Sequence, residues 1–66
     1  MSVAKTAEIT ASSSKSFEDA IRSGISKMSE TVKNIEGAWV KEQKVVVKKG
    51  EVEAYRVTMK VTFVIK

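Results

Sequence analysis

Few residues in this chain have side chains that could do chemistry, and they suit binding better than catalysis. The one tryptophan, Trp39, lies in the stretch "NIEGAWVKEQ", and the chain has no histidine and no cysteine. The commonest metal ligand and general base is therefore missing, and so is a thiolate nucleophile. An indole stacks well on a flat heterocycle. An arginine such as Arg56 can pair with phosphate or carbonyl oxygens, or stack on an aromatic plane.

Catalytic and metal chemistry find little support in the remaining residues. The serines at 12–14 have no apparent base beside them, so we interpret them as a helix cap rather than as nucleophiles. Carboxylates can bind a hard cation where several copies of a chain converge, but no calcium-loop spacing occurs within this chain. The candidates for such a shared site are Glu8, Glu42, Glu51 and Glu53. We predict that the protein is not an enzyme, and we assign no catalytic residue and no metal ligand.

Length and charge limit the function classes. A chain of 66 residues forms one domain, residues 1–66, whose core is marginal, and without cysteines it has no disulfide to support it. We therefore expect self-assembly. The net charge of +4 comes from basic residues that alternate with valine, threonine and glutamate, which favours a solvated sheet over a nucleic-acid surface. No apolar run is long enough to span a membrane, and the first residues lack the apolar core of a signal peptide, so we expect a cytoplasmic protein.

The first half of the chain predicts a strand followed by an amphipathic helix. Residues 3–11 favour a strand. The helix is predicted over residues 14–34, with Ser13 as its N-cap and Ser14 as the alternative. Its apolar stripe comprises Phe17, Ala20, Ile21, Gly24, Ile25, Met28 and Val32. Gly24 weakens a helix by about 1 kcal/mol relative to alanine, which indicates close approach of the helix backbone to a sheet.

The second half predicts a long hairpin with strands at 38–48 and 52–65. The turn is "KKGE" at 48–51, where Gly50 can adopt a positive φ. Alternation in the last strand places one set on the core face: Tyr55, Val57, Met59, Val61, Phe63 and Ile65. The consecutive valines at 45–47 indicate either a bulge or a second buried surface.

These elements predict an α+β fold of order β-α-β-β, with a three-stranded antiparallel sheet and one helix. One helix covers only one side of the sheet. The other side carries Trp39, Val64 and part of the valine run. An open apolar patch of this kind usually marks an interface or a ligand site, so the pattern itself favours assembly.

Four sequence motifs, in this order and spacing, resemble those of the dodecins, small flavin-binding proteins. The motifs are Ser16-Phe17, Thr31-Val32-Lys33-Asn34-Ile35, Val40-Lys41-Glu42-Gln43 and Tyr55-Arg56-Val57-Thr58-Met59-Lys60-Val61-Thr62-Phe63. The resemblance implies a sheet partly wrapped around the helix and a hollow homododecamer. It also implies flavins, riboflavin or FMN, bound in pairs at two-fold axes and stacked between tryptophans of neighbouring subunits. A glutamine on the last strand would bind the flavin ring, and the role would be storage rather than catalysis.

Two positions depart from the family pattern. In a gap-free match the family's stacking tryptophan falls on Gly37, and its ring-binding glutamine falls on Arg56. These departures are similar to those of a divergent branch, the calcium dodecins, which keep the shell. Gly37 and Trp39 are two residues apart, so both should project from the same sheet face, which in a dodecin-like sheet also carries Arg56.

The predicted ligand-binding residues are therefore Trp39, Arg56 and Gly37, and each of the first two has alternatives. Trp39 either fills a subunit interface, stacks on a flavin or similar flat ligand, or packs within the chain's own core. Arg56 either forms an inter-subunit salt bridge with a glutamate such as Glu42 or Glu53, or contacts the ligand. Two functions follow: a dodecin-type flavin store, or a dodecin-like shell that has lost flavin and serves as a structural or ion-binding assembly.

Overall fold

The predicted order of elements is confirmed by the computed structural model, which describes residues 2–66. Strand β1 (Val3–Ser13) is followed by helix α1 (Phe17–Met28), strand β2 (Ile35–Lys48) and strand β3 (Glu51–Ile65). The strands form one antiparallel sheet in the order β1-β3-β2, so the last strand lies in the middle and pairs with both others. Each strand is one to three residues longer than the sequence predicts. Within residues 2–66 no helix has the length and apolar character needed to cross a membrane.

The core lies between α1 and one face of β3. Val57, Met59 and Val61 are fully buried on this strand, as its alternation predicts, and Ala20 is fully buried on the helix. Four further residues of the helix stripe pack against these residues, namely Phe17, Ile21, Ile25 and Met28, together with side chains from β1 and the start of β2. The ring of Phe17 meets that of Tyr55 edge-on, with centroids 5.2 Å apart. The outermost member of the predicted core face, Ile65, is half exposed.

The helix begins later than predicted, because a different serine caps it. Ser16 has an extended backbone, and its hydroxyl accepts a hydrogen bond from the backbone N–H of Asp19 at 2.9 Å. Ser13, the predicted cap, instead ends β1. Its hydroxyl accepts from the backbone N–H of Lys15 at 2.9 Å and donates to the Asp19 carboxylate at 2.6 Å. The serine cluster thus stabilises the strand-to-helix connection, with one serine at each end.

The helix also ends earlier than the predicted residue 34. Ser29 caps it at the C-terminus, and turns follow in which Val32 donates its backbone N–H to the carbonyl of Met28 at 2.9 Å. Asn34 then adopts a left-handed conformation, with φ of 63°, and the chain enters β2. Val32 keeps the apolar spacing of the stripe beyond the last helical turn, which explains why periodicity alone overestimates the length of the helix.

The hairpin turn is confirmed where predicted, between the paired residues Lys48 and Glu51. Lys49 and Gly50 both have positive φ, 54° and 78°, which is the pattern of the two-residue turns that match strand twist. A bulge is present beside the valine run, but its extra residue is not a valine. The pairing shifts between Val46 and Val47, which leaves Glu53 of β3 as the extra residue, so the three valines still alternate between the two faces.

A second irregularity determines which side chains of β2 share a face. The pairing also shifts between Val40 and Glu42, so Lys41 is an extra residue in β2. Val40 lies opposite the buried Met59, whereas Glu42 lies opposite Thr58 on the other face. Because of this bulge, Glu42 and the β2 residues after it point to the face opposite the one that uninterrupted alternation predicts.

Gly24 is located where helix and sheet approach most closely, as predicted. A methyl group added at this position would lie 2.9 Å from the Cβ of Ala11 and 3.1 Å from the terminal methyl of Met59. The Cβ of Ala11 is fixed by its strand backbone, so it cannot yield as the end of a long side chain would. The small residue therefore allows the helix to pack on the sheet at this distance.

We predict that Gly24→Ala destabilises the protein, although alanine is the better helix former. Overpacking costs typically 1–3 kcal/mol, which exceeds the gain of about 1 kcal/mol in helix propensity. Urea denaturation followed by circular dichroism measures the change. Ser23→Ala, on the exposed side of the helix, is the matched control and should be neutral or stabilising. The prediction is contradicted if Gly24→Ala stabilises the protein as much as the control does.

Candidate ligand-binding face

The sheet face turned away from α1, called here the outer face, is a grid of mostly polar side chains. Four residues of β3 on this face are each flanked by one residue of β1 and one of β2. From one end of the grid to the other, the rows are Thr6-Thr62-Gly37, Glu8-Lys60-Trp39, Thr10-Thr58-Glu42 and Ser12-Arg56-Lys44. These rows therefore present hydroxyls, charges and a single aromatic ring.

Trp39 is the aromatic surface of this face. Its side chain lies directly opposite Lys60, and 57% of the residue is exposed. The ammonium group of Lys60 lies 5.6 Å from the centroid of the indole ring, within the range of a cation–π interaction. Because the indole is on the face away from the helix, the alternative that it packs in the chain's own core is wrong. An interface role and a ligand role both remain predictions.

A salt bridge crosses the outer face beside this ring. Lys41, the extra residue of the β2 bulge, reaches Glu8 on β1 with a distance of 3.3 Å between Nζ and Oε1. Glu8 also lies directly opposite Lys60 in the β1–β3 register. Both partners are about half exposed, so the bridge stabilises the fold by less than about 1 kcal/mol. The bridge matters locally, because Glu8 is the one acidic residue in the row of Trp39 and its carboxylate is bound to Lys41.

Arg56 lies at the other end of the grid, in a different setting. It is exposed, and its direct neighbour on β2 is another cation, Lys44. The two side chains line a depression of about 200 Å³ together with Thr10, Glu42 and Thr58. The hydroxyls of the two threonines lie 3.3 Å apart, at hydrogen-bond distance.

The predicted site residues share one face but do not meet within one chain. Gly37 is opposite Thr62 and Trp39 is opposite Lys60, six and four residues along β3 from Arg56. At the rise of a β-strand these separations correspond to roughly 20 Å and 13 Å. No atom lies within 4 Å of the position that a Cβ of Gly37 would occupy, so space is open beside Trp39. A ring that touches position 37 and position 56 together needs two copies of the chain.

Two residues of this face, Lys44 and Lys60, were not predicted as part of the site, and Glu42 was predicted only as a salt-bridge partner of Arg56 or as a carboxylate of a shared cation site. Simple alternation from Val40 places Glu42 and Lys44 on the helix side, and only the bulge at Lys41 moves them outward. The polar stretch 41–44 contains no apolar residue that would reveal this parity. Lys60 was placed on the correct face by alternation, but its distance to Trp39 depends on the pairing register. Among residues 2–66, no three acidic side chains lie close enough together to hold a metal ion.

Comparison with known proteins identifies the family. The family model described as Dodecin matches residues 3–66. The chain belongs to the dodecin family. No curated protein sequence matches it closely enough to count as a relative.

Several solved structures that are similar to this chain in fold are dodecins as well. An arginine-to-alanine variant of the Thermus thermophilus dodecin has a TM-score of 0.95, with 24% identity over 100% of this chain and 98% of its own. The dodecin from Streptomyces davaonensis has a TM-score of 0.94, with 29% identity over 98% of this chain and 96% of its own. A calcium dodecin from Mycobacterium tuberculosis, described as a calcium-chelating immunodominant antigen with a novel calcium-binding site, has a TM-score of 0.84. It shares 29% identity over 97% of this chain and 91% of its own.

We predict that Trp39 and Lys60 stabilise the fold jointly. A double-mutant cycle with Trp39→Leu and Lys60→Met should give a coupling free energy of about 0.5–1 kcal/mol in urea unfolding at one fixed protein concentration. The cycle cancels the effect of removing the Lys60 ammonium group from opposite Glu8, because that effect occurs in both the single and the double variant. Trp39→Leu combined with Lys44→Met, two rows away on the same face, is the control and should be additive. Additivity in both cycles would show that the ammonium and the indole do not interact.

Proposed function

We propose that this dodecin is a non-enzymatic cytoplasmic protein that forms a hollow homododecamer and stores flavin, riboflavin or FMN, or a related flat ligand, between its subunits. The observation that carries the proposal is the exposed indole of Trp39 on the outer face, beside the open space at Gly37. Displaced by two residues from the position of the family's tryptophan, it projects from the same face and offers the same kind of stacking surface.

The small core of the chain supports assembly. Within residues 2–66 the fully buried apolar side chains are Ala20, Val57, Met59 and Val61. The fold measures 51 × 20 × 13 Å, so it is an elongated plate rather than a sphere. Large apolar side chains remain exposed at both ends and along β2: Val3, Trp39, Val40, Val45, Val47, Val52 and Ile65. Their burial against further copies would supply the apolar contact that a monomer of this size lacks.

The spacing of the site residues supports a ligand site between subunits. Arg56 is roughly 13 Å along the sheet from the row of Trp39. If the ring stacks on Trp39 of one subunit, Arg56 of a neighbouring subunit can approach it only in an assembly. A composite site of this kind agrees with the inter-subunit flavin sites that the resemblance to dodecins implies.

A second candidate is a dodecin-like shell that has lost flavin and serves as a structural or ion-binding assembly. It is favoured by Gly37 and Arg56, which replace both flavin contacts of the family, and by the likeness to the calcium dodecin. In this chain the carboxylates of a cation site would have to come from several subunits, because residues 2–66 of one chain form no such cluster.

We expect the purified protein to quench the fluorescence of added riboflavin or FMN, with saturation near one flavin per subunit. Trp39→Ala should abolish the quenching, because the stacking surface is removed, whereas Trp39→Phe should retain part of it as the matched control. No quenching by the wild type, together with calcium binding by calorimetry, would contradict the flavin proposal and support the second candidate. In that case the only effect of Trp39→Ala should be weaker assembly.

Restoring the two family residues should strengthen flavin binding. The double variant Gly37→Trp, Arg56→Gln is expected to quench riboflavin at lower concentrations than the wild type does. No atom lies within 4 Å of the position that a Cβ would occupy at Gly37, so the backbone there can accept a side chain. Gly37→Ala, Arg56→Gln is the control that lacks the new ring. An intact assembly of the double variant with no gain in affinity would show that positions 37 and 56 do not correspond to the family's flavin contacts.

A further inference from the structure

Trp39 lies at the edge of the sheet and has a neighbouring strand on one side only. The strand order β1-β3-β2 makes β2 an edge strand, so β3 flanks Trp39 on one side and no strand of residues 2–66 flanks it on the other. The preceding residue of β2 on the outer face is Gly37, which has no side chain to pack against the ring. Because 57% of Trp39 is exposed, few contacts within the chain hold the indole in place.

Lys60 supplies the contact that orients the ring. It is paired with Trp39 in the β2–β3 register, and its ammonium group lies over the indole, 5.6 Å from the ring centroid. The face of an aromatic ring carries negative charge and attracts a cation placed over it. Because Lys60 extends from β3, the indole face that it contacts is turned towards the centre of the sheet. The opposite face of the indole is turned towards the open edge.

The other charges of this row leave Lys60 available for the indole. Glu8 is directly paired with Lys60 in the β1–β3 register, and its carboxylate would otherwise attract the ammonium group. Lys41 binds that carboxylate instead, at 3.3 Å. In the part of the chain that the structure describes, no carboxylate oxygen lies within 4.0 Å of the Lys60 ammonium group. The bulge residue Lys41 therefore also favours the position of Lys60 over the ring.

We infer that Lys60 is a positioning residue for the stacking surface of Trp39. It holds one face of the indole, so a flat ligand stacks on the other face, at the edge of the sheet, and each indole binds one ligand. This inference rests on the proposed function for its ligand, but the orientation of the ring is a property of the ligand-free protein. An open face at the sheet edge also suits a ligand that is shared with a second copy of the chain.

The orientation of the ring is tested by time-resolved fluorescence anisotropy of the ligand-free, assembled protein. Trp39 is the one tryptophan, so the signal reports this indole alone. Lys60→Met keeps a long side chain but removes the charge, and it should lower the anisotropy because the indole gains local motion. Lys60→Arg retains a cation that can stack on the ring and should keep the wild-type anisotropy. Lys48→Met, the same change near the hairpin turn, is the control and should have no effect.

Titration of the same variants with riboflavin tests the consequence for binding. Lys60→Met should weaken riboflavin binding by about twofold to fivefold, the factor that corresponds to one exposed cation–π contact. Lys60→Arg should restore the wild-type affinity. If Lys60 only stabilised the fold, Lys60→Met would change the unfolding midpoint and leave both the anisotropy and the affinity unchanged.

The possible results separate this inference from the flavin proposal. Unchanged anisotropy in Lys60→Met overturns the inference, and so does unchanged or tighter binding of riboflavin by that variant. In these cases binding of riboflavin by the wild type still supports flavin storage. If the wild type binds no riboflavin but Lys60→Met lowers the anisotropy and Lys60→Arg does not, the positioning role stands and the flavin proposal fails.

Discussion

A single helix packed on one face of a three-stranded sheet leaves the other face open, and this constraint shapes the whole molecule. The contact depends on Gly24, whose missing side chain allows α1 to approach Ala11 and Met59. It also depends on β3, which lies in the middle of the sheet and supplies the buried residues Val57, Met59 and Val61. All fully buried apolar contact in residues 2–66 is made on this one side, so the outer face is available for other subunits or ligands.

Irregular pairing gives the outer face its chemistry. A regular β2 would alternate without interruption, and Glu42 and Lys44 would point towards the helix. The bulge at Lys41 turns them outward, beside Arg56, and the extra residue itself forms a salt bridge with Glu8. The same face therefore combines an exposed aromatic ring at Trp39 with a concentration of positive charge at the opposite end.

The fold was predictable to the extent that apolar spacing determines it. Alternation in residues 55–65 and the stripe from Phe17 to Met28 identified the core correctly, and Gly50 identified the turn. The predicted helix ends were wrong because Ser16, rather than Ser13, provides the cap, and because Val32 continues the apolar spacing past the last helical turn.

The predicted site residues Gly37, Trp39 and Arg56 were placed on the correct face. Lys44 was missed, and Glu42 was not assigned to this face, because a bulge within a fully polar stretch leaves no pattern in apolar residues. Whether the three predicted residues bind a ligand is a matter of how copies assemble, which the pattern of one chain does not determine.

The most direct test of this account is the mass of the protein in solution. Light scattering at micromolar concentration should give a single species near twelve times the 7.3 kDa of one chain. Its unfolding temperature should rise with protein concentration, because the apolar contacts between copies add to a small core. A folded monomer whose unfolding temperature does not depend on concentration would contradict the account. The exposed valines of β2 and the indole of Trp39 would then have no partner, and a ligand site shared between subunits could not form.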